Sequence, residues 1–342
     1  MKDSVAFKYW TMNNLKIFNN KTILITGGTG SFGNKFVETV IKKSRPQKLI
    51  VFSRDELKQF NMRKKFSKYK ALRFFLGDIR DKNRLATSME GVDYVIHAAA
   101  LKQVPILEYN PFEAIKTNIL GAQNIIDAAL ANKVKKVIAL STDKATAPIN
   151  LYGATKLASD KLFISANNYV GKKNIKFSVV RYGNVAGSRG SVIPFFIEQA
   201  KKNLLTITDK RMTRFNISLE EGVSFVLRCI NDMKGGETYV PKIPSYRILD
   251  LARSIAPKAK YKFVGIRPGE KIHEEMITKS DSLNTIEYKN YYVILPPNNK
   301  NFKKLYPKLI KKEFSYSSES NKKFMNAKEL KKLVNVFKSL NE

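Results

Sequence analysis

Cysteine and histidine are scarce in this chain. Its 342 residues include one cysteine, Cys229, and two histidines, His97 and His273. A single cysteine excludes an intramolecular disulfide framework, and so few sulfur and imidazole ligands argue against a zinc site. The sequence therefore predicts no metal, and the cysteine usage fits a reducing cytoplasm.

The chain also lacks a long hydrophobic run. Although 43% of its residues are hydrophobic, no uninterrupted apolar segment reaches membrane-spanning length. Residues 1–20 have no apolar stretch of the signal-peptide kind and are predicted to form a short N-terminal extension. We therefore expect a cytoplasmic protein without membrane contact, long enough for two domains.

Acidic residues are few in comparison with basic ones. The chain has 29 aspartates and glutamates against 62 lysines and arginines, for a formal net charge of +33. Most of the basic residues are scattered lysines, whereas nucleic-acid surfaces favour arginine interleaved with aromatic side chains. We expect no nucleic-acid partner, and a surface whose field attracts an anionic substrate.

A glycine-rich loop follows the first apolar run of the chain. Gly27, Gly30 and Gly33 come directly after the β-branched segment 22–26 and before a helical apolar pattern. Glycines at this spacing let the backbone turn tightly and approach a pyrophosphate, whose charge rests on the helix N-terminus. The loop predicts the first strand–helix turn of a dinucleotide-binding sheet.

Apolar runs and helical patterns alternate over the first half of the chain. Strands are predicted at 48–53, 72–77, 93–97, 136–141 and 176–181, and helices at 55–67, 82–89, 111–131 and 151–169. This alternation is typical of an α/β protein with a doubly wound parallel sheet of the Rossmann type. We predict a dinucleotide-binding domain over 21–187, with a later return near 217–245. A smaller substrate-binding domain and a C-terminal tail are predicted over 188–342.

The end of the second strand indicates which dinucleotide binds. Folds that prefer NAD usually place an acid there for the ribose 2′-hydroxyl, but this chain has Ser53 and Arg54 before Asp55. An arginine at this position can pair with a 2′-phosphate, so the sequence favours NADP. The alternative is that Arg54 only caps a surface turn. Asp78, after the third strand, is placed to reach the adenine.

Tyr152 and Lys156 are four residues apart on a predicted helix, so both side chains lie on one face. A tyrosine with a pKa of about 10 is a poor base, but a neighbouring ammonium and a nicotinamide charge favour the phenolate. Lowering that pKa by about 3 units corresponds to about 4 kcal/mol. Tyr152 is then predicted to accept a hydroxyl proton, with Ser141 or Thr142 as its hydroxyl partner.

These features together resemble the extended short-chain dehydrogenases that act on nucleotide sugars. Among them the chain is similar to the UDP-N-acetylglucosamine 4,6-dehydratases of the short, C5-inverting type that opens pseudaminic acid biosynthesis. The resemblance spans about 21–318 and rests on TGGTGSFG (26–33), SRDELKQ (53–59), HAAALKQVP (97–105), STDKA (141–145), NLYGATKLASDKL (150–162), RYGNVAGSRGSV (181–192) and RPGEKIHE (267–274). Two stretches depart from the family pattern: Asn216 replaces a tryptophan, and 321–326 lacks an Asn-Pro-Gln-Trp segment.

The resemblance implies a reaction in which NADP transiently oxidises C4 of the sugar. Tyr152, with Lys156, would deprotonate the 4-hydroxyl, Lys144 would remove the C5 proton, and Asp143 would protonate the departing 6-hydroxyl. For this, the pKa of Lys144 must fall well below about 10.4 and the pKa of Asp143 must rise. A 4-epimerase or a C5-retaining dehydratase of the same fold remains an alternative, as does a non-catalytic sensor. Lys144 distinguishes the dehydratase from the 4-epimerase, because a simple epimerase needs no base at C5.

The resemblance also implies the remaining site residues and a homo-oligomeric assembly. The catalytic set is Thr142, Asp143, Lys144, Tyr152 and Lys156. The cofactor set is Gly27, Thr29, Gly30, Ser31, Phe32, Gly33, Ser53, Arg54, Asp55, Lys58, Asp78, Ile79, Ala98, Ala100, Tyr152, Lys156 and Val185. The set for the substrate, UDP-N-acetylglucosamine, is Lys102, Asn184, Arg189, Gly190, Ser191, Val192, Arg214, Arg267 and Glu270.

Overall fold

A computed structural model describes residues 15–186, 192–296, 306, 310 and 312–339. The strands are β1 (Thr22–Thr26), β2 (Lys48–Ser53), β3 (Leu72–Leu76), β4 (Tyr94–His97), β5 (Lys136–Thr142), β6 (Lys176–Tyr182), β7 (Asn184–Val185), β8 (Leu204–Ile207), β9 (Thr213–Ile217), β10 (Thr238–Pro241), β11 (Ser245–Arg247), β12 (Lys260–Phe263), β13 (Glu275–Ile277), β14 (Thr285–Glu287), β15 (Tyr291–Ile294) and β16 (Tyr316–Ser317).

Helices connect most of these strands. They are α1 (Ser31–Lys43), α2 (Glu56–Lys65), α3 (Lys82–Ser88), α4 (Val104–Tyr109), α5 (Pro111–Ala114), α6 (Gly121–Ala131), α7 (Leu151–Ala166), α8 (Val192–Ala200), α9 (Leu219–Asp232), α10 (Ile248–Ile255), α11 (Lys279–Ser282) and a C-terminal helix, Ala327–Ser339. Short 3₁₀ turns occupy Lys16–Phe18 and Asp143–Ala145. No helix in the described ranges is both long and apolar enough to cross a bilayer.

Nine of the described strands form one sheet in the order β14-β15-β10-β6-β5-β4-β1-β2-β3. From β10 to β3 all neighbours pair in parallel, as the strand–helix alternation predicts. The order reverses between β1 and β4, and ligands of such sheets bind outside the carboxyl ends of the strands at this point. The predicted Rossmann-type α/β fold is confirmed.

The sheet is covered by helices on both faces because its strands are apolar on both sides. Ile23 and Ile25 of β1 face one cluster, which contains side chains of α1 and α9. Leu24, between them, faces the other cluster, which contains side chains of α3, α6 and α7. Strands buried in this way read as continuous apolar runs rather than as alternating ones.

The structure differs from the sequence prediction in two places. The predicted helix 111–131 is interrupted by a π-helical segment, Ile115–Leu120, which separates α5 from α6. The large sheet is also extended by two strands that the sequence analysis did not predict, since β15 pairs antiparallel with β10, and β14 with β15. Because these strands come from residues after 280, the sheet draws on the chain beyond 187. The division into domains stays a prediction.

The remaining strands and helices build a smaller region beside the sheet. β11, β9 and β7 form one small sheet, and β12 with β8 and β13 with β16 form two-stranded ones. A separate apolar cluster unites α8, β8, α10 and the C-terminal helix, with Phe196, Leu251 and Leu330 at its centre. This region faces the carboxyl ends of the central strands across a cavity.

Candidate active site

The loop between β1 and α1 forms one end of the cavity. Gly30 is the N-cap of α1 and has no side chain to engage the first-turn N–H groups, so these suit an anion. Gly33 packs so closely on the loop that a Cβ there would be 2.2 Å from the Gly28 carbonyl oxygen. This close packing brings the bare backbone of 27–33 to the cavity wall, where it fits the pyrophosphate of a dinucleotide.

A cavity of about 1160 Å³ joins the glycine loop to the smaller region. That volume is at the upper end for ligand sites and leaves room for a second molecule beside a dinucleotide. All predicted cofactor residues line it: Gly27, Thr29, Gly30, Ser31, Phe32, Gly33, Ser53, Arg54, Asp55, Lys58, Asp78, Ile79, Ala98, Ala100, Tyr152, Lys156 and Val185. Of the predicted substrate residues it is lined by Lys102, Asn184, Val192, Arg214, Arg267 and Glu270, whereas Arg189, Gly190 and Ser191 lie outside the described residues.

Arg54 lies at the rim of the cavity with a 56% exposed side chain. Its guanidinium is 3.7 Å from a carboxylate oxygen of Asp78, which also accepts a 2.7 Å hydrogen bond from Arg80. Burial alone would raise the pKa of Asp78, but the hydrogen bonds from Arg80 and the charge of Arg54 outweigh it and hold that pKa below its usual value. Asp55 caps α2 by accepting from the Lys58 backbone N–H. Arg54 thus sits beside an ionised acid, and its pairing with a 2′-phosphate stays a prediction.

The end of β5 and the start of α7 bring the predicted catalytic residues together. Thr142 caps the turn Asp143–Ala145 by accepting from the Lys144 backbone N–H. Gly153 of α7 packs on this turn so tightly that a Cβ would be 2.1 Å from the Lys144 carbonyl oxygen. The glycine after Tyr152 therefore lets the helix approach the turn, which places Tyr152 beside Lys144.

The amine of Lys144 has three acceptors. Its Nζ lies 3.1 Å from Asp143 Oδ1, 3.2 Å from Asn184 Oδ1 and 3.2 Å from Glu274 Oε1. Burial would lower the pKa of this lysine, but the charges of Asp143 and Glu274 outweigh burial and raise it above its usual value. The expectation that its pKa falls well below about 10.4 is wrong, because the charges of two nearby carboxylates outweigh both burial and the opposing charge of Arg214.

Asp143 is fully buried behind Lys144 and is not part of the cavity wall. Its Oδ1 contacts Thr142 and Lys144, while its Oδ2 has no hydrogen-bond partner within the described chain. Burial raises the pKa of this carboxyl, and the Lys144 charge opposes the rise only in part. The pKa of Asp143 is thus shifted upward, which is the direction expected for an acid that holds a proton.

Tyr152 and Lys156 line the cavity as predicted, but their pKa values do not follow the prediction. Burial raises the pKa of Tyr152 to about 12, and the opposing charge comes from Lys144 rather than Lys156. Burial also lowers the pKa of Lys156, against the charge of Asp160. Ser141 donates to Asp160 over 2.6 Å, so Thr142 is the hydroxyl that contacts the Tyr152 phenol.

Arg214 and Arg267 approach the cavity in different ways. Arg214 is buried and donates to the carbonyls of Thr213, Lys271 and Ile272, so much of its guanidinium is used to hold the 271–272 backbone. Arg267 is exposed and pairs with Glu270 over 3.1 Å. Arg267 is therefore the freer of the two to meet a diphosphate, for which an arginine fork is suited.

Glu274 belongs to the site but was not among the residues predicted from the sequence. It is 2% exposed, lines the cavity and contacts Lys144. It is the last letter of the RPGEKIHE segment that supports the family resemblance. The motif signals its importance, but the contact with Lys144 joins residues 130 positions apart, which no local pattern could predict.

The two departures from the family pattern occupy ordered positions. Asn216 pairs with Asn184 between β7 and β9, and its side chain reaches the cavity. Asn321 donates to the carbonyl of Ile243 and to the hydroxyl of Ser245, which ties the 321–326 segment to β11.

The parallel sheet, the glycine loop and the Tyr152–Lys156 pair on one cavity are together the features of the extended short-chain dehydrogenase class. A family model described as polysaccharide biosynthesis protein matches residues 23–296, and the chain belongs to this family.

Several named relatives are similar over nearly the whole chain. UDP-N-acetylglucosamine 4,6-dehydratase (inverting) of Campylobacter jejuni subsp. jejuni serotype O:2 is 55% identical over 93% of this chain and 98% of its own length. UDP-glucose 4-epimerase of Rickettsia akari is 42% identical over 93% of this chain and 96% of its own. The X-ray structure of Pen from Bacillus thuringiensis has a TM-score of 0.86 at 38% identity and covers 94% of this chain and 98% of that one. The resemblance stated from the motifs is thereby confirmed.

Proposed function

We propose that this protein is a UDP-N-acetylglucosamine 4,6-dehydratase that inverts C5. Its product would be UDP-2-acetamido-2,6-dideoxy-β-L-arabino-hex-4-ulose, the first intermediate of a pseudaminic acid-type pathway. The observation that supports the proposal best is that Lys144, backed by Asp143, faces the same cavity as Tyr152 and the glycine loop. The 55% identity to a dehydratase of this name supports the same reaction.

The residues of the glycine loop would hold the pyrophosphate of NADP, and Arg54 would meet its 2′-phosphate. When bound, the nicotinamide supplies a reversible two-electron oxidation, which is made at C4 and returned at C6. The small side chains of Ala98 and Ala100 leave the cavity wall open along the path from the loop to Tyr152.

Tyr152 would accept the proton of the sugar 4-hydroxyl, helped by its contact with Thr142. With a pKa of about 12 the residue is a phenol at neutral pH. A shift to about 7 requires about 7 kcal/mol, at about 1.4 kcal/mol per pKa unit. Lys144 and the positive charge of an oxidised nicotinamide both favour the phenolate, so two cations share this demand.

Lys144 and Asp143 would then perform the elimination. The Lys144 amine takes the C5 proton, the C5–H electrons form the C5–C6 double bond, and the C6–O bond breaks as the proton of Asp143 passes to the oxygen to give water. Because Asp143 lies behind Lys144 and off the cavity wall, this transfer would require the Lys144 side chain to move aside. The elimination step requires an amine and a carboxylic acid, whereas the charges around Lys144 favour an ammonium beside Asp143. If one proton moves across the 3.1 Å contact from Lys144 Nζ to Asp143 Oδ1, the ammonium and carboxylate become the amine and carboxylic acid that the step needs, without exchange with solvent.

The test is to incubate the purified protein with UDP-N-acetylglucosamine, without added cofactor, and to follow the product by mass spectrometry. We expect a product lighter by one water, and no such product from a Tyr152→Phe variant. An unchanged mass with a new configuration at C4 would instead assign the chain to the 4-epimerases, the activity that the rickettsial relative is named for.

A further inference from the structure

Glu274 is anchored by its backbone at the wall of the cavity. Its N–H donates to Ser318 Oγ over 2.9 Å, and the Ser318 N–H donates to the Glu274 carbonyl over 2.7 Å. The same Ser318 hydroxyl lies 2.7 Å from Thr213 Oγ1 on β9. The residue therefore has little freedom to move away from the cavity.

The carboxylate of Glu274 points at Lys144. Its Oε1 lies 3.2 Å from Lys144 Nζ and 3.8 Å from Nε of Arg214, whose guanidinium is itself held by backbone carbonyls. Its Oε2 is buried and has no hydrogen-bond partner within the described ranges. A buried carboxylate is costly unless it is paired, so this geometry makes Lys144 its main compensation.

We propose that Glu274 is a positioning residue that directs the amine of Lys144 beside Asp143 and keeps one proton on that pair. The proposal rests on the proposed function, because the elimination needs one proton and no more on the two residues. The amine must be free to accept the C5 proton, and Asp143 must hold the proton that leaves with the 6-hydroxyl. Loss of that proton would leave an amine beside a carboxylate, with no acid for the leaving group.

The charges around Lys144 support this role. The charged and titratable groups that face it are Asp143, Tyr152, Lys102, Arg214, Tyr246, Lys271 and Glu274. Burial and Arg214 lower the pKa of Lys144, and the carboxylates of Asp143 and Glu274 raise it. Among the described carboxylates whose charge acts on the amine, Glu274 is thus the one that the elimination does not itself use.

The first test measures the protonation of Lys144 in the chain without substrate. Acetic anhydride acylates only the neutral amine. Labelling over a range of pH, followed by peptide mass spectrometry, therefore gives the midpoint pH at which Lys144 loses its proton, and exposed lysines of the same molecule serve as the reference. We expect the wild-type midpoint above that of exposed lysines. In Glu274→Gln we expect it at least about one pH unit lower, because a charge within 3.2 Å is removed.

The second test uses activity and matched variants. The alkaline limb of the pH profile of kcat should move to lower pH in Glu274→Gln and return towards the wild-type position in Glu274→Asp, which restores the charge. Glu275→Gln is the control, since Glu275 is the neighbouring acid, lies on β13 and acts on Lys271. We expect both its Lys144 midpoint and its alkaline limb to match the wild type.

The outcomes separate this proposal from the proposed function. If the wild-type protein releases no water from UDP-N-acetylglucosamine, the proposed function is contradicted. The labelling midpoints of Lys144 still test the role of Glu274 in that case. Equal midpoints in wild type and folded Glu274→Gln would overturn that role. If Glu274→Gln does not fold, a wild-type Lys144 midpoint at or below that of exposed lysines would overturn it as well.

Discussion

Replacing Gly33 by alanine should abolish tight dinucleotide binding while leaving the fold intact. A Cβ at this position would be 2.2 Å from the Gly28 carbonyl oxygen and 2.4 Å from its carbon. Both are backbone atoms of the loop between β1 and α1, so no side-chain rotation relieves the overlap. The first turn of α1 must move by about 1 Å to reach an ordinary contact distance.

That displacement can be converted into affinity. A movement of this size removes first-turn N–H groups from hydrogen-bond distance of a phosphate, and a hydrogen bond to a charged group contributes about 1.5–3 kcal/mol. Loss of two such bonds amounts to about 3–6 kcal/mol, or roughly a 10²- to 10⁴-fold rise in Kd. Isothermal titration with NADP, together with the dinucleotide content of the purified protein, measures the effect.

The matched control is Gly222→Ala in α9. A Cβ there would find its nearest neighbour, a side-chain carbon of Ile217, at 4.0 Å. We expect unchanged NADP affinity and up to about 1 kcal/mol of added stability from helix propensity. NADP binding by Gly33→Ala with wild-type affinity would refute the reasoning that this loop holds the pyrophosphate.

Three further predictions concern single side chains. Lys144→Met should still allow oxidation at C4, which is seen as absorbance of the reduced cofactor. The same variant should lose water about 10²- to 10⁴-fold more slowly, because that is the usual contribution of a general base. Water loss at the wild-type rate would show that Lys144 is not the base. Arg54→Ser should weaken NADP binding about tenfold, a figure kept modest because the side chain is 56% exposed, and should leave NAD binding nearly unchanged; equal losses for both would contradict a 2′-phosphate contact. Burial lowers the pKa of His97, hydrogen-bonded to Thr26 over 2.9 Å, to about 3, so the native state favours the neutral ring and loses stability as pH falls below about 6.5 towards 3. Between about pH 7 and about pH 5 the free energy of unfolding, measured with denaturant, should fall by about 2 kcal/mol more in wild type than in His97→Asn. If it falls equally in both proteins, His97 is not the group responsible.

The sequence was sufficient for the parallel part of the sheet because its signals are local. Residues 23–25 and 49–52 are uninterrupted apolar runs, and the structure has strands around them with the predicted bounds, Thr22–Thr26 and Lys48–Ser53. β14 and β15 were not predicted, because they are only three and four residues long. β15 is stabilised by pairing with β10, some 50 positions away, and β14 by pairing with β15. The π-helical segment Ile115–Leu120 has no periodicity that distinguishes it from the helix that follows.

The candidate site was predictable where its residues belong to one motif. The spacing of Tyr152 and Lys156 on α7 correctly placed both at the cavity. The protonation of Lys144 was not predictable, because it depends on Glu274, which is brought to the amine by the pairing of its backbone with Ser318. Charges that meet only after folding decide the pKa, and a linear motif does not contain them.

The reaction carried out in deuterated water, with the product followed by NMR at early times, tests the dehydratase assignment itself. If Lys144 removes the C5 proton and C5 is reprotonated from solvent on the opposite face, the product carries one deuterium at C5, the inverted configuration there, and at C6 the hydrogen that started at C4. A product of unchanged mass, free of deuterium and altered only at C4, would contradict the account.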